Sequence, residues 1–130
     1  MTKKLSRILY CEDEPDIQEV ARLSLEVVGG FTVLIASSGA EAVAQAEAFN
    51  PDLLLLDVMM PGLDGPATLA ALRKIPALAK TPAVFMTAKV QRNEIERFLA
   101  LGALEVVPKP FDPMTLPATL EGIWNRAQGA

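Results

Sequence analysis

Short apolar runs alternate along this chain with amphipathic stretches, and no other feature constrains the fold as strongly. Apolar runs that lack polar alternation suit strands covered on both faces, and the amphipathic stretches between them suit the crossover helices of βαβ units. The strand candidates are Ile8 to Cys11, Phe31 to Ala36, Leu53 to Leu56, Ala83 to Met86 and Leu104 to Val107. The fold class this predicts is α/β, a doubly wound parallel sheet of five strands with helices on both faces.

The helix signals sit where that scheme needs them. The first helix should turn Ile17, Val20, Ala21, Ser24 and Val27 or Val28 inward and stop at Gly29-Gly30. Ser38 and Glu41 have the spacing of a capping box, which starts an Ala-rich second helix that Asn50-Pro51 ends. A third helix is expected from about Pro66 to Lys74, and a fourth from Arg92 to Leu101 ahead of Gly102. The fifth follows Asp112-Pro113. If Asp112 capped it, Pro117 would fall too deep and remove a backbone hydrogen bond. Capping by Thr115 puts Pro117 in the tolerant first turn and is the preferred reading.

Composition narrows the function classes. A length of 130 residues suits one domain with a real core, so the expectation is a single unit over residues 1–130 with no room for an output domain. The net charge is −4 and no Lys/Arg cluster is dense enough to neutralise a phosphate backbone, which argues against nucleic acid as a direct partner. Cys11 is the only cysteine and lies in an apolar run, where it reads as a small buried hydrophobe. The apolar stretch from Ile8 is broken by Glu12 and Asp13 before it could form a signal-peptide core, and no segment is long enough to span a bilayer. A reducing cytoplasm fits these features.

Ionisable residues gather just past the C-terminal ends of the predicted strands, the edge at which open α/β sheets bind ligands. Glu12 and Asp13 follow the first strand, Asp57 the third, Thr87 the fourth and Lys109 the fifth. Taken singly, each has a plainer explanation: a helix cap or solvated loop acid for Glu12, Asp13 or Asp57, a strand-end hydroxyl for Thr87, a surface charge for Lys109. Their joint placement outweighs those readings. In a sheet ordered 2-1-3-4-5, strands one and three are neighbours, so the three acids crowd one pocket and repel. A hard divalent cation relieves that repulsion, and Mg²⁺ takes a few carboxylate or carbonyl oxygens while keeping several waters. Elsewhere, Met59-Met60 reads as local packing and Trp124 as a partly buried anchor of the fifth helix.

Four blocks carry a family resemblance: Leu9-Tyr10-Cys11-Glu12-Asp13-Glu14-Pro15, the stretch from Pro51 through Asp57 and Pro61 to Gly65, Met86-Thr87-Ala88, and Val107-Pro108-Lys109-Pro110-Phe111. In this order and spacing the chain resembles the receiver domain of bacterial two-component response regulators, chemotaxis-regulator-like, over nearly its whole length. The resemblance implies the flavodoxin-like strand order 2-1-3-4-5. It implies a phosphoacceptor module that is not an enzyme and only assists its own phosphorylation and dephosphorylation. Asp57 takes the phosphoryl group from a partner phosphohistidine. Asp13 and Asp57 ligate Mg²⁺ with the backbone carbonyl of Met59, and Glu12 acts mainly through a metal-bound water. Lys109 pairs with the phosphoryl oxygens, the Thr87 hydroxyl moves in to bind one of them, and Pro110 follows a cis peptide bond. The implied partners are a histidine kinase or histidine phosphotransfer protein and a downstream protein that reads a surface of the fourth helix, fifth strand and fifth helix. With no histidine in the chain, the phosphohistidine belongs to another molecule or is replaced by a small-molecule donor.

Two departures qualify the resemblance. Val106 stands where the family usually carries Tyr or Phe, which puts the usual aromatic switch in doubt, and Met59 and Lys89 occupy the positions that overlook the phosphoryl group. A methionine positions a hydrolytic water poorly, so slow spontaneous dephosphorylation is expected. The rival readings are a phosphorylation-independent interaction module, against which the complete set of pocket residues speaks, and an aspartate-nucleophile phosphatase, which usually has a second acid where Met59 stands. No GxxxxGK[ST] loop is present for a P-loop nucleotidase.

Overall fold

A computed structural model describes residues 4–88 and 91–129. Five parallel strands, β1 (Arg7–Cys11), β2 (Thr32–Ala36), β3 (Leu53–Asp57), β4 (Ala83–Thr87) and β5 (Glu105–Pro108), form one sheet in the order β2-β1-β3-β4-β5. Helices α1 (Pro15–Arg22), α2 (Gly39–Phe49), α3 (Gly65–Arg73), α4 (Arg92–Ala100) and α5 (Leu116–Gly129) connect or follow them. Burial tracks position in the sheet: β3 and β4 are buried throughout, whereas β2 and β5 at the edges are only partly so. The continuous apolar runs at 53–56 and 83–86 are thus explained by cover on both faces.

Side chains alternate across a strand, and the core divides accordingly into two layers. Ile8, Tyr10, Leu53, Leu55, Val84, Met86 and Val107 pack with Ala21 of α1 and with Leu116, Leu120, Ile123 and Trp124 of α5. Leu9, Cys11, Leu54, Leu56, Ala83 and Phe85 pack on the other face with residues of α2, α3 and α4. The N-terminal ends of β1 and β3 are clamped together by Asp52, whose Oδ2 accepts from the amides of Ser6 and Arg7 at 3.1 and 2.9 Å. Arg7 in turn donates from Nε and Nη2 to the carbonyl of Phe49 at 2.9 and 2.7 Å and lies over its ring.

The capping signals hold. Ser38 Oγ accepts from the Glu41 amide at 3.1 Å, and Asn50 ends α2 in the left-handed region at φ 55°. α5 begins at Leu116, after Thr115, with Pro117 in its first turn. Asp112 caps the preceding turn instead, accepting from the Met114 amide at 2.9 Å.

The first helix departs from its predicted face. After Arg22 the backbone widens into a π-helical segment, Leu23–Val28. Leu25 is buried beside Ala21 and Ser24 at spacings of three and four, while Val27 and Val28 are exposed, as is Val20 ahead of the wider segment. The stop at Gly29 is tight: a Cβ there would lie 2.8 Å from both the Leu25 carbonyl oxygen and the Phe31 ring. Two smaller expectations also change. Trp124 is buried outright at 3 % exposure, and of the adjacent methionines only Met60 packs inward, Met59 being exposed.

Candidate phosphoacceptor and metal site

The two-residue period of the strands decides which side chains can meet at the C-terminal edge. Glu12 continues the face of Ile8 and Tyr10, Asp57 that of Leu53 and Leu55, and Lys109 that of Val107. β1 and β3 are neighbours, with Cys11 paired to Leu56, and β5 lies beyond β4. Lys109 closes the gap: its Nζ donates to Glu12 Oε1 at 2.9 Å and to Asp57 Oδ2 at 3.2 Å. The Lys109-Pro110 peptide is cis, as the resemblance implies. Thr87 belongs to the opposite face with Ala83 and Phe85 and is buried; its carbonyl accepts from the Lys109 amide at 3.0 Å.

α3 reaches the site by a close approach. A Cβ on Gly65 would stand 2.7 Å from the Asp57 carbonyl oxygen and 2.9 Å from Val58 Cα, so only glycine lets this helix start so near the end of β3. Asp64 caps it, accepting from the Ala67 amide at 2.9 Å. The loop between holds Met59, whose amide lies 3.4 Å from Asp57 Oδ1. Beside it opens a cleft of about 550 Å³ whose lining includes Met59, Thr87, Glu94, Arg97 and Phe98.

The charges are poorly matched without a further cation. One carboxylate oxygen from each of Glu12, Asp13 and Asp57 falls within 4.8 Å of the others, and one ammonium faces them. Burial, followed by the nearby charge of Glu12, pushes the Asp57 carboxyl up to about 6, against the opposing pull of Lys109 and the Met59 amide. Burial pulls the Lys109 ammonium down, but its contacts with Glu12 and Asp57 outweigh this and leave its pKa raised. Glu12 is wholly buried; besides Lys109, its Oε1 accepts from the Tyr10 hydroxyl at 3.1 Å, and its Oε2 accepts from the Glu14 amide at 3.1 Å. Burial and then the charge of Asp57 drive the Cys11 thiol up to about 12, so it stays protonated and unreactive.

Hard oxygen donors with surplus negative charge fit a hard divalent cation, and one open to water on the Asp13 side fits Mg²⁺, which gives up its waters reluctantly. Bound there, such an ion supplies positive charge opposite the Asp57 carboxylate. Of the residues singled out from sequence, Glu12, Asp13, Asp57 and Lys109 come together, Thr87 stands at the adjacent strand end, and Met59 lies at the cleft rim. Lys89 lies outside the described residues. Tyr10 escaped notice in the sequence, although its separation of two from Glu12 on one strand was a signal that both face the same way.

The sequence matches the family model of the response regulator receiver domain over residues 8–121. Among curated proteins it is similar to the probable C4-dicarboxylate response regulator DctR of Priestia megaterium, 37% identical over 93% of this chain and 53% of that protein. It is also similar to the alkaline phosphatase synthesis transcriptional regulatory protein PhoP of Bacillus subtilis, 36% identical over 94% of this chain and 50% of that one. The chain spans about half the length of these curated relatives. Among solved structures, the chemotaxis response regulator CheY4 of Vibrio cholerae superposes with a TM-score of 0.85 at 28% identity, covering 92% of this chain and 98% of that one.

Proposed function

Because the chain belongs to the response-regulator receiver family of two-component signalling, we propose that it is a phosphoacceptor whose Asp57 takes a phosphoryl group with Mg²⁺ held by Asp13, Asp57 and the Met59 carbonyl, Glu12 acting through a bound water. The observation that carries this reading is the placement of the Lys109 ammonium 3.2 Å from Asp57 Oδ2 inside a cluster of three acids. An oxygen of Asp57 attacks phosphorus and the P–N bond of a donor phosphoimidazole breaks, its electron pair leaving on the imidazole nitrogen. Lys109 meets charge on the transferred oxygens, and the Thr87 hydroxyl moves in to bind one of them. The chain promotes only its own phosphorylation and dephosphorylation.

The proposed partners are a histidine kinase or histidine phosphotransfer protein and a downstream protein that reads the α4, β5 and α5 surface. Neither nucleic acid nor a membrane is part of the reading, and the cytoplasm is the proposed compartment. No helix among the described residues is long and apolar enough to cross a membrane. Met59 carries no group that holds a water at the cleft rim, so the acyl phosphate should hydrolyse slowly. Incubation with acetyl phosphate and Mg²⁺ tests the proposal: one phosphoryl group per chain, labile to hydroxylamine and lost in Asp57→Asn, is expected. Phosphate found mainly on serine or threonine overturns it.

A further inference from the structure

Tyr10 is the chain's single tyrosine, is fully buried on the interior strand β1, and makes its hydroxyl contact with the site and not with the core. Its neighbours across the sheet are Ile35 of β2 and Leu55 of β3, so the ring is held by packing on both sides. The hydroxyl donates to Glu12 Oε1, the same oxygen that receives Lys109 Nζ. Lys109 is thereby shared between Glu12 at 2.9 Å and Asp57 at 3.2 Å, with the shorter contact to the residue that takes no phosphoryl group.

That sharing sets a problem for phosphoryl transfer. If Lys109 is to follow the charge onto the new phosphoryl oxygens, Glu12 must give it up, and a carboxylate with no solvent exposure that loses its cation needs other donors. The Glu14 amide serves Oε2 in either state, being fixed in the backbone. Oε1 keeps the Tyr10 hydroxyl, beside the metal-bound water through which Glu12 is proposed to act. A carboxylate oxygen that already accepts one hydrogen bond also attracts an ammonium less strongly, because part of its charge is spoken for. A phenol is protonated at neutral pH, so the Tyr10 hydroxyl is a donor in either state.

We propose that Tyr10 is a positioning residue for phosphoryl acceptance: its hydroxyl holds Glu12 by Oε1 and so frees Lys109 to move from Glu12 to the phosphoryl group on Asp57. The inference rests on Asp57 being the phosphoacceptor. Without the hydroxyl, Glu12 retains Lys109, and anything that mimics the phosphoryl group must compete for the ammonium against a stronger rival.

Because the chain has one tyrosine, a ¹³Cζ-tyrosine label gives a single resonance. In the wild-type protein with saturating Mg²⁺, adding beryllofluoride should shift that resonance by more than its linewidth as Lys109 leaves the Glu12 oxygen that the Tyr10 hydroxyl holds. Tyr10→Phe should weaken beryllofluoride binding at saturating Mg²⁺ by about tenfold, the size of one hydrogen bond to a charged group. In the Glu12→Gln background the same substitution should have little effect, since a neutral amide does not hold Lys109, and a purely structural role for the ring would not show this dependence. A ¹³Cζ resonance that stays in place when beryllofluoride binds overturns the inference, even if the variants fail to fold. So does undiminished binding in Tyr10→Phe. Failure of the wild-type protein to bind beryllofluoride would instead remove the phosphoacceptor reading, and this inference with it.

Discussion

Lys109 lies nearer to Glu12 than to Asp57, its Nζ 2.9 Å from Glu12 Oε1 and 3.2 Å from Asp57 Oδ2. The cation proposed to meet the phosphoryl group here neutralises chiefly the buried acid beside it. Among the described residues, three acids and one ammonium leave the site short of positive charge, and most of its measurable behaviour follows from that imbalance.

Mg²⁺ should raise the melting temperature, because an ion that binds only the folded cluster stabilises it by mass action, roughly 2.7 kcal/mol at a concentration a hundred times its Kd. Asp57→Asn should raise the melting temperature of the metal-free protein by removing repulsion with Glu12, and should shrink the further rise on adding Mg²⁺. Scanning calorimetry with Mg²⁺ and with chelator checks both. A wild-type melting point indifferent to Mg²⁺ counts against the metal site.

Acidity should act on the metal-free protein in a defined direction. Asp57 is pushed up to about 6 from an ordinary value of 3.8, so the folded state holds this proton more tightly than the unfolded chain. Its contribution is favourable below the ordinary value and is lost as pH rises through about 6. Denaturant melts of wild type minus Asp57→Asn, taken across that window without Mg²⁺, should show wild type losing ground as pH increases. A difference that is flat with pH would contradict the burial of Asp57 beside Glu12.

Lys109→Ala should destabilise the metal-free protein by about 3–5 kcal/mol, because it strips the shared cation from two buried carboxylates. Mg²⁺ should recover part of the loss by supplying charge to the same cluster. Urea unfolding with and without Mg²⁺ measures both quantities. An equal deficit in the two conditions would mean that the ion and the ammonium do not serve the same acids.

Asp52→Ala should cost about 1–3 kcal/mol of stability, since the amides of Ser6 and Arg7 lose their acceptor at the far end of the sheet. Beryllofluoride affinity should stay as in wild type. A matching loss of affinity would show that the two ends of the sheet are coupled.

The switch should run through α4. Val106 packs, partly buried, on the sheet face that carries Phe85, whose ring meets that of Phe98 on α4 edge to face at 5.2 Å. A β-branched side chain is stiff at χ1, so no large ring-like swing is available there. Amide NMR shifts on beryllofluoride binding should be largest at residues 87–97 and smaller around Val106 and α5. Dominant shifts at Val106 with a silent α4 would place the signal elsewhere.

Local period made much of this protein legible before any coordinates. Unbroken apolar runs mark the central strands because both their faces are covered, and Ser38, Asn50 and Pro117 mark helix ends because each leaves or removes particular backbone hydrogen bonds. Glu12, Asp13, Asp57, Thr87 and Lys109 could be placed at one edge of the sheet because every parallel strand ends there. The remainder depended on contacts between residues far apart in the chain. No local rule foretold the π-helical widening after Arg22, or that the buried face runs through Ala21 and Leu25 and leaves Val20 and Val27 outside, because the choice depends on how α1 seats against the sheet and α5. Nor could spacing divide Lys109 between Glu12 and Asp57, or aim the Tyr10 hydroxyl at the same oxygen: those are differences of tenths of an ångström, set by how β1, β3 and β5 are held side by side. Which chemical groups gather at the edge follows from where each strand ends; which of them touch follows from how the strands pack.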